Sequence, residues 1–216
     1  MRGELARRGY PCAMRPALPR EFIALHKRNR IMTALAELTA EKGYEATKIS
    51  DVVKRAAVAR KTLYDNFSGK EDVFLAAFDM TVEEAMSRVE ESCAAAEDDW
   101  EGATEAGLEA LLAYVAEQPA MARLFLIEAQ SATPAASERY EQTVRRFVEM
   151  ARRRLPHEEP LPKTLDETVV GGVAWILSQQ VRRGKAEEAP ELLAELREFV
   201  VEQYRAPAKE GAGKHR

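Results

Sequence analysis

Along most of this chain apolar residues recur every three or four positions with polar ones between them, and sustained period-two alternation is absent. That spacing marks amphipathic helices and argues against half-buried strands. Ile31, Leu35 and Leu38 predict a first helix over 20–42, closed by Gly43. Short helices follow over 48–56 and 60–67. Ser68-Gly69 breaks the chain, and a long helix runs from 70 to about 98 with Phe74, Phe78, Val82, Met86 and Val89 inside. Further helices are expected over 101–117, 119–131, 135–155, 163–184 and 190–205, with Pro119, Pro134 and Pro190 at starts or breaks. The fold class is all-α, about nine helices, with no internal repeat.

One stretch, ARKTLYDNFSGKEDVF (59–74), buries little and presents much. Upstream of it, Thr47 is placed to cap the helix beginning near Lys48, and Ile49, Val52 and Val53 give that helix an inward face. Ala57-Val58-Ala59 is just long enough to turn into the next helix. Val58, Leu63 and Phe67 anchor that helix, leaving Arg60, Lys61, Thr62, Tyr64, Asp65 and Asn66 on the other side. This is helix-turn-helix spacing, with the second helix free to enter a DNA major groove.

The same residues carry a family likeness. Gly43-Tyr44, Thr47, Ala56-Ala57-Val58, Thr62-Leu63-Tyr64, Phe67 and Lys70-Glu71 closely resemble the DNA-binding domain of the tetracycline-repressor (TetR) family of bacterial transcription regulators. The family usually has Gly in the turn where this chain has Ala57. If that position needs positive φ, Ala costs on the order of 1 kcal/mol. The resemblance implies that Arg60, Lys61 and Thr62 reach base edges, with Tyr64 and Asn66 making phosphate or mixed contacts. It places Thr47, Lys48 and Lys70 at helix N-termini, where phosphate is favoured. Asp65 either reads cytosine or pairs with a basic neighbour.

Charge supports a polyanion partner for one end only. The formal charge is −4, yet residues 1–70 hold 15 Lys/Arg against 7 Asp/Glu, while the remainder holds 17 against 29. The expected organisation is a flexible basic arm over 1–19 carrying Arg2, Arg7, Arg8 and Arg15, with Arg20 at its edge, and a helix-turn-helix DNA-binding domain over 20–69. An effector-binding and dimerisation domain over 70–205 and a disordered tail over 206–216 complete it. The arm either assists DNA binding or is merely floppy.

For the body, resemblance implies two further surfaces. The last two helices, through Val169, Gly172, Val173, Ile176, Leu177, Leu192, Leu196, Phe199 and Val200, are expected to pair with a second copy; internal packing is the other reading. A homodimer is what a single helix-turn-helix needs, because two half-sites about 34–36 Å apart add their energies. A cavity for a small apolar or amphipathic effector is implied among the middle helices. Candidates are Met86, Trp100, Tyr114, Met121, Phe125, Glu128, Phe147, Met150 and Trp175, although aromatic and Met residues at helical spacing also serve as plain core. Glu128, in the apolar stretch LFLIEAQ, meets either a ligand or a nearby arginine.

Other classes find little support. His26, His157 and His215 are scattered, and neither a Cys/His ligand cluster, a glycine-rich phosphate loop nor a Gly-x-Ser-x-Gly elbow is present. No catalytic residue, metal or cofactor is therefore expected. No run of about 18 apolar residues exists, the first twenty residues lack the apolar stretch of a secretory signal, and Cys12 and Cys93 are far apart, which fits a reducing cytoplasm. The expectation is a cytoplasmic, homodimeric transcriptional repressor that leaves a palindromic double-stranded DNA operator when a small molecule binds. The alternative is a helical small-molecule-binding or scaffold protein without DNA binding.

Overall fold

The computed structural model describes residues 20–96, 99–156, 162 and 164–205. The expected arm over 1–19, the tail over 206–216 and the His157-Glu158-Glu159 stretch lie outside them. Among the described residues the chain is helical, without strands. The helices are α1 (Arg20–Lys42), α2 (Ile49–Arg55), α3 (Arg60–Asn66), α4 (Lys70–Ala95), α5 (Trp100–Glu117), α6 (Pro119–Leu126), α7 (Pro134–Arg154), α8 (Leu165–Arg182) and α9 (Leu193–Tyr204). No single helix among them is long and apolar enough to cross a membrane.

Local chemistry sets several boundaries. Asp99 caps α5 by accepting from the Glu101 and Gly102 amides, and Thr133 caps α7 by accepting from Ala136. Such caps each contribute about 1 kcal/mol. Pro119 and Pro134 open α6 and α7, where the missing N–H is no loss. Two predicted helices are interrupted. The sixth stops at Leu126, whose carbonyl accepts from the Gln130 side chain, and a 3-10 turn over Glu128–Gln130 follows. The ninth begins as a 3-10 segment over Ala186–Leu192 that contains Pro190, so the α-helix proper starts at Leu193.

Two apolar clusters organise the molecule. The first joins Ile31, Leu35 and Leu38 of α1 with Val52, Leu63 and Phe67, then continues through Phe74 and Phe78 of α4 to Met121 and Leu124 of α6 and Met150 of α7. The second gathers α5, α6, α8 and α9 around Leu112, Leu126, Leu177, Leu196 and Val200. The expected division at 69/70 falls between two helices, but the packed core runs through it without a break. Gly107 lets α5 approach α4 closely, since a Cβ there would meet Cys93 Sγ at 2.6 Å. At the far end, the buried Asp166 of α8 accepts from Tyr204 Oη of α9 at 2.6 Å and from Arg152 Nε of α7 at 2.9 Å, tying three helices together.

Candidate nucleic-acid interface and ligand cavity

The head is fixed first at its turn. The Ala57 amide donates to Lys54 O at 3.2 Å and the Val58 amide to Val53 O at 3.1 Å, which is the paired bonding of a Schellman motif. Ala57 occupies its left-handed position with φ 49°. Arg30 of α1 donates to the carbonyls of Ala56 and Ala57, latching the turn to α1. Arg28 donates to Asn66 O at 2.9 Å and lies 4.2 Å from the centre of the Phe67 ring, closing the C-terminus of α3. Neither arginine stood out in the sequence; their spacing in a helix that faces both short helices was the available signal. Lys42 beside Asp51 and Arg55 beside Glu37 and Glu41 tie α2 to α1, and Lys42 holds the Asp51 carboxyl below the usual range.

Helix α3 buries Leu63 fully, and Phe67, just past its end, is buried too, while Arg60, Lys61, Tyr64 and Asp65 are exposed and Thr62 is half-buried. Arg60 leans over the Tyr64 ring, and Lys61 pairs with Asp65 at 3.2 Å across one helical turn. The basic-neighbour alternative for Asp65 is therefore the one realised in the free chain. Asn66 turns its amide back onto Thr62 O at 2.7 Å. Lys48 is exposed at the start of α2.

Two expected phosphate ligands are used differently. Thr47 is only 1% exposed, and its hydroxyl donates to Gly43 O at 2.9 Å instead of capping α2, where Lys48 takes the cap position without a side-chain bond. The Gly43–Thr47 turn lies ahead of α2, so its nearest free acceptor is the carbonyl behind it. Lys70 donates Nζ to Tyr44 O at 3.0 Å and sits 3.9 Å from the centre of the Tyr44 ring. It thereby bridges the first residue of α4 to the turn after α1. Glu128 completes the same node from the body, because its carboxylate accepts from the Tyr44 amide at 3.2 Å and faces Arg123 at 3.6 Å.

Between α4, α5, α6, α7 and α8 lies a cavity of about 180 Å³. Tyr114, Phe125, Phe147 and Met150 line it, as expected of them. The remaining candidates do not. Met86 and Met121 are packed in the first core cluster, Trp100 packs against the second, and Glu128 sits under the head. Trp175 is 64% exposed, because the inward stripe of α8 is Val169, Val173 and Leu177 and Trp175 falls on the opposite side. Lining residues missed in the sequence include Thr81, Cys93, Thr104 and Arg154. Burial pushes the Cys93 thiol up, and burial followed by the charge of Glu84 pushes the Tyr114 phenol up to about 12, so both stay neutral near pH 7.

The expected pairing surface also divides. Val169, Val173, Leu177, Leu196 and Val200 are buried within the chain's own second core cluster and offer nothing to a partner. Gly172, Ile176, Leu192 and Phe199 are half-buried, beside the exposed Trp175. No group of His, Cys, Asp and Glu able to hold a metal ion occurs among the described residues.

A sequence profile described as "Bacterial regulatory proteins, tetR family" matches residues 31–77, the span from the core of α1 through the start of α4. This head belongs to the TetR family. The TetR head is a DNA-binding helix-turn-helix, and similar proteins share both it and the architecture behind it. Over 62 residues the chain is 36% identical to the fatty acid metabolism regulator protein of Bacillus subtilis (strain 168), covering 29% of this chain and 32% of that one. Over 75 residues it is 29% identical to the HTH-type transcriptional activator FasR of Mycolicibacterium smegmatis, covering 35% of this chain and 32% of that one. These alignments thus span about a third of either relative's length. The fold extends further. The fatty acid degradation regulator FadR of Bacillus halodurans superposes with a TM-score of 0.74 at 17% identity, covering 81% of this chain and 94% of that one. FadR of Bacillus subtilis, in complex with stearoyl-CoA, gives 0.72 at 18% identity over 82% and 99% of the two chains.

Proposed function

We propose that this chain is a homodimeric, cytoplasmic transcriptional regulator that binds a palindromic operator through its TetR head and responds to a fatty-acyl effector. The observation that carries the reading is α3: Leu63 buried beneath, Arg60, Lys61 and Tyr64 exposed above, inside a TetR-type frame. In this reading Arg60, Lys61 and Thr62 read base edges, while Lys48 and Tyr64 contact phosphates. Thr47, Asn66 and Lys70 hold the head in shape, and Asp65 restrains Lys61 until DNA competes for it. Gly172, Trp175, Ile176 and Phe199 belong to the face that meets the second copy. A half-site pair read by two copies has the two-fold symmetry such operators mirror.

The acyl effector is supported by the almost wholly apolar cavity and by the stearoyl-CoA held by the B. subtilis FadR to which the fold is similar. At about 180 Å³ the cavity is below the roughly 300–1,000 Å³ usual for ligand pockets. An acyl chain therefore enters by moving the helices that wall it. That displacement reaches DNA by two routes, directly along α4 from Lys70, and through α6 to the Glu128–Tyr44 bond. A hundredfold loss of operator affinity requires only about 2.7 kcal/mol of differential binding. Repression relieved by effector is the mode proposed.

The test is selection of bound fragments from a random duplex pool with purified protein. Enrichment of an inverted repeat with half-sites about one helical turn apart is expected. Recovery of no motif beyond bulk duplex, with and without fatty-acyl compounds, overturns the reading.

A further inference from the structure

The cavity wall has one unanswered polar group. Thr81 donates its hydroxyl to Ala77 O at 2.8 Å, and Thr104 donates to Trp100 O at 2.8 Å. Cys93 donates Sγ to Ala103 O at 3.2 Å, and the Tyr114 hydroxyl is engaged by Thr81. Each of these lining groups is satisfied by the protein itself. Arg154, in the last turn of α7, is the one charged residue among those lining the cavity, and among the described residues it makes no ion pair or hydrogen bond. Its neighbours Arg152 and Arg153 are committed, to Asp166 with Glu167 and to Glu90 respectively. A guanidinium that is exposed on one side and borders an apolar chamber on the other is placed to receive an anionic group whose alkyl part lies inside.

We propose that Arg154 is the head-group residue of the cavity, selecting a ligand that couples an alkyl chain to an anion. This deepens the effector reading above and rests on it. Cys93, Ala103 and Thr104 share the Arg154 end, where α4 finishes and α5 begins, the end of α4 remote from the DNA-binding head. The ligand's chain accordingly points toward Thr81 and Phe125, and so toward α6 and the node beneath the head. The shared chemistry, an alkyl chain with a negatively charged end, is met by a free fatty acid and by its coenzyme A thioester.

The experiment titrates the full chain with dodecanoate, dodecanoyl-CoA and 1-dodecanol by calorimetry, alongside Arg154→Gln and Arg154→Lys. The expected result is that at least one anionic compound binds ten times or more tighter than the alcohol. Arg154→Gln removes that preference while leaving alcohol affinity unchanged, and Arg154→Lys keeps part of it. The compound that loses affinity in Arg154→Gln identifies whether the acid or the thioester is recognised. Equal binding of alcohol and anions by the unaltered chain, or a preference that survives Arg154→Gln, overturns the assignment while the acyl effector stands. Binding of none of the three overturns both.

Discussion

The head and the body use apolar residues in opposite ways. In α3 one fully buried leucine carries the contact, and the outer face is left to polar groups. In the body, side chains from α4 to α9 surround a space that they do not fill. A reading surface has to keep its shape while touching another molecule, so its support is narrow and close-packed. A chamber proposed to admit a ligand has to change shape, and its walls meet incompletely.

The sharpest way to break this contrast is Leu63→Ala. Removing a fully buried leucine costs about 2–5 kcal/mol, and here there is no second stripe to compensate. Thermal unfolding should fall accordingly and DNA binding should vanish by fluorescence anisotropy. If operator affinity persists, the Arg28 and Arg30 latches hold α3 in place without the Leu63 contact.

A smaller effect probes the link between the two regions. Glu128 is the carboxylate that accepts the Tyr44 amide from across the head–body seam. Glu128→Ala leaves that amide without this acceptor and should lower stability by about 1–3 kcal/mol. It should also shrink the ratio of operator affinities measured without and with effector, whereas Glu128→Gln retains an acceptor and most of the coupling. An unchanged ratio in Glu128→Ala would leave α4 as the sole route.

The smallest expected change is a gain. Ala57 and Gly184 each stand just past a helix end in left-handed backbone, at φ 49° and 72°. Only the second has the residue suited to it. Ala57→Gly removes a strain of about 1–2 kcal/mol against an unfolded-chain entropy penalty of about 0.4–1 kcal/mol. A net stabilisation of about 0.5–1 kcal/mol, read from the denaturant midpoint, is expected. A loss of stability would mean that the Ala57 methyl makes a favourable contact outweighing its strain.

How much of this was legible differs by region for physical reasons. In the head, short helices leave few choices: Leu63 and Phe67 had to face inward, and an Ala where the family has Gly marked the strained turn. Thr47 misled because a hydroxyl before a helix has two local acceptors and donors within reach, and spacing does not choose between them. In the body, Met86 and Met150 are both buried in the first core cluster, yet only Met150 borders the cavity. That distinction depends on how neighbouring helices diverge, which no local pattern records. Trp175 is the exception, since Val169, Val173 and Leu177 define an inward stripe that excludes it. Arg154 was hidden among three consecutive arginines, and only the partners taken by Arg152 and Arg153 set it apart.

The unbroken core across the 69/70 boundary bears on how such regulators can be recombined. A chimera that grafts another head at that joint would inherit half of a contact layer, with Met121 and Leu124 presented to an unfamiliar α1. Transplanting specificity in this protein therefore means recutting the outward residues of α3 in place, or carrying α6 across together with the head.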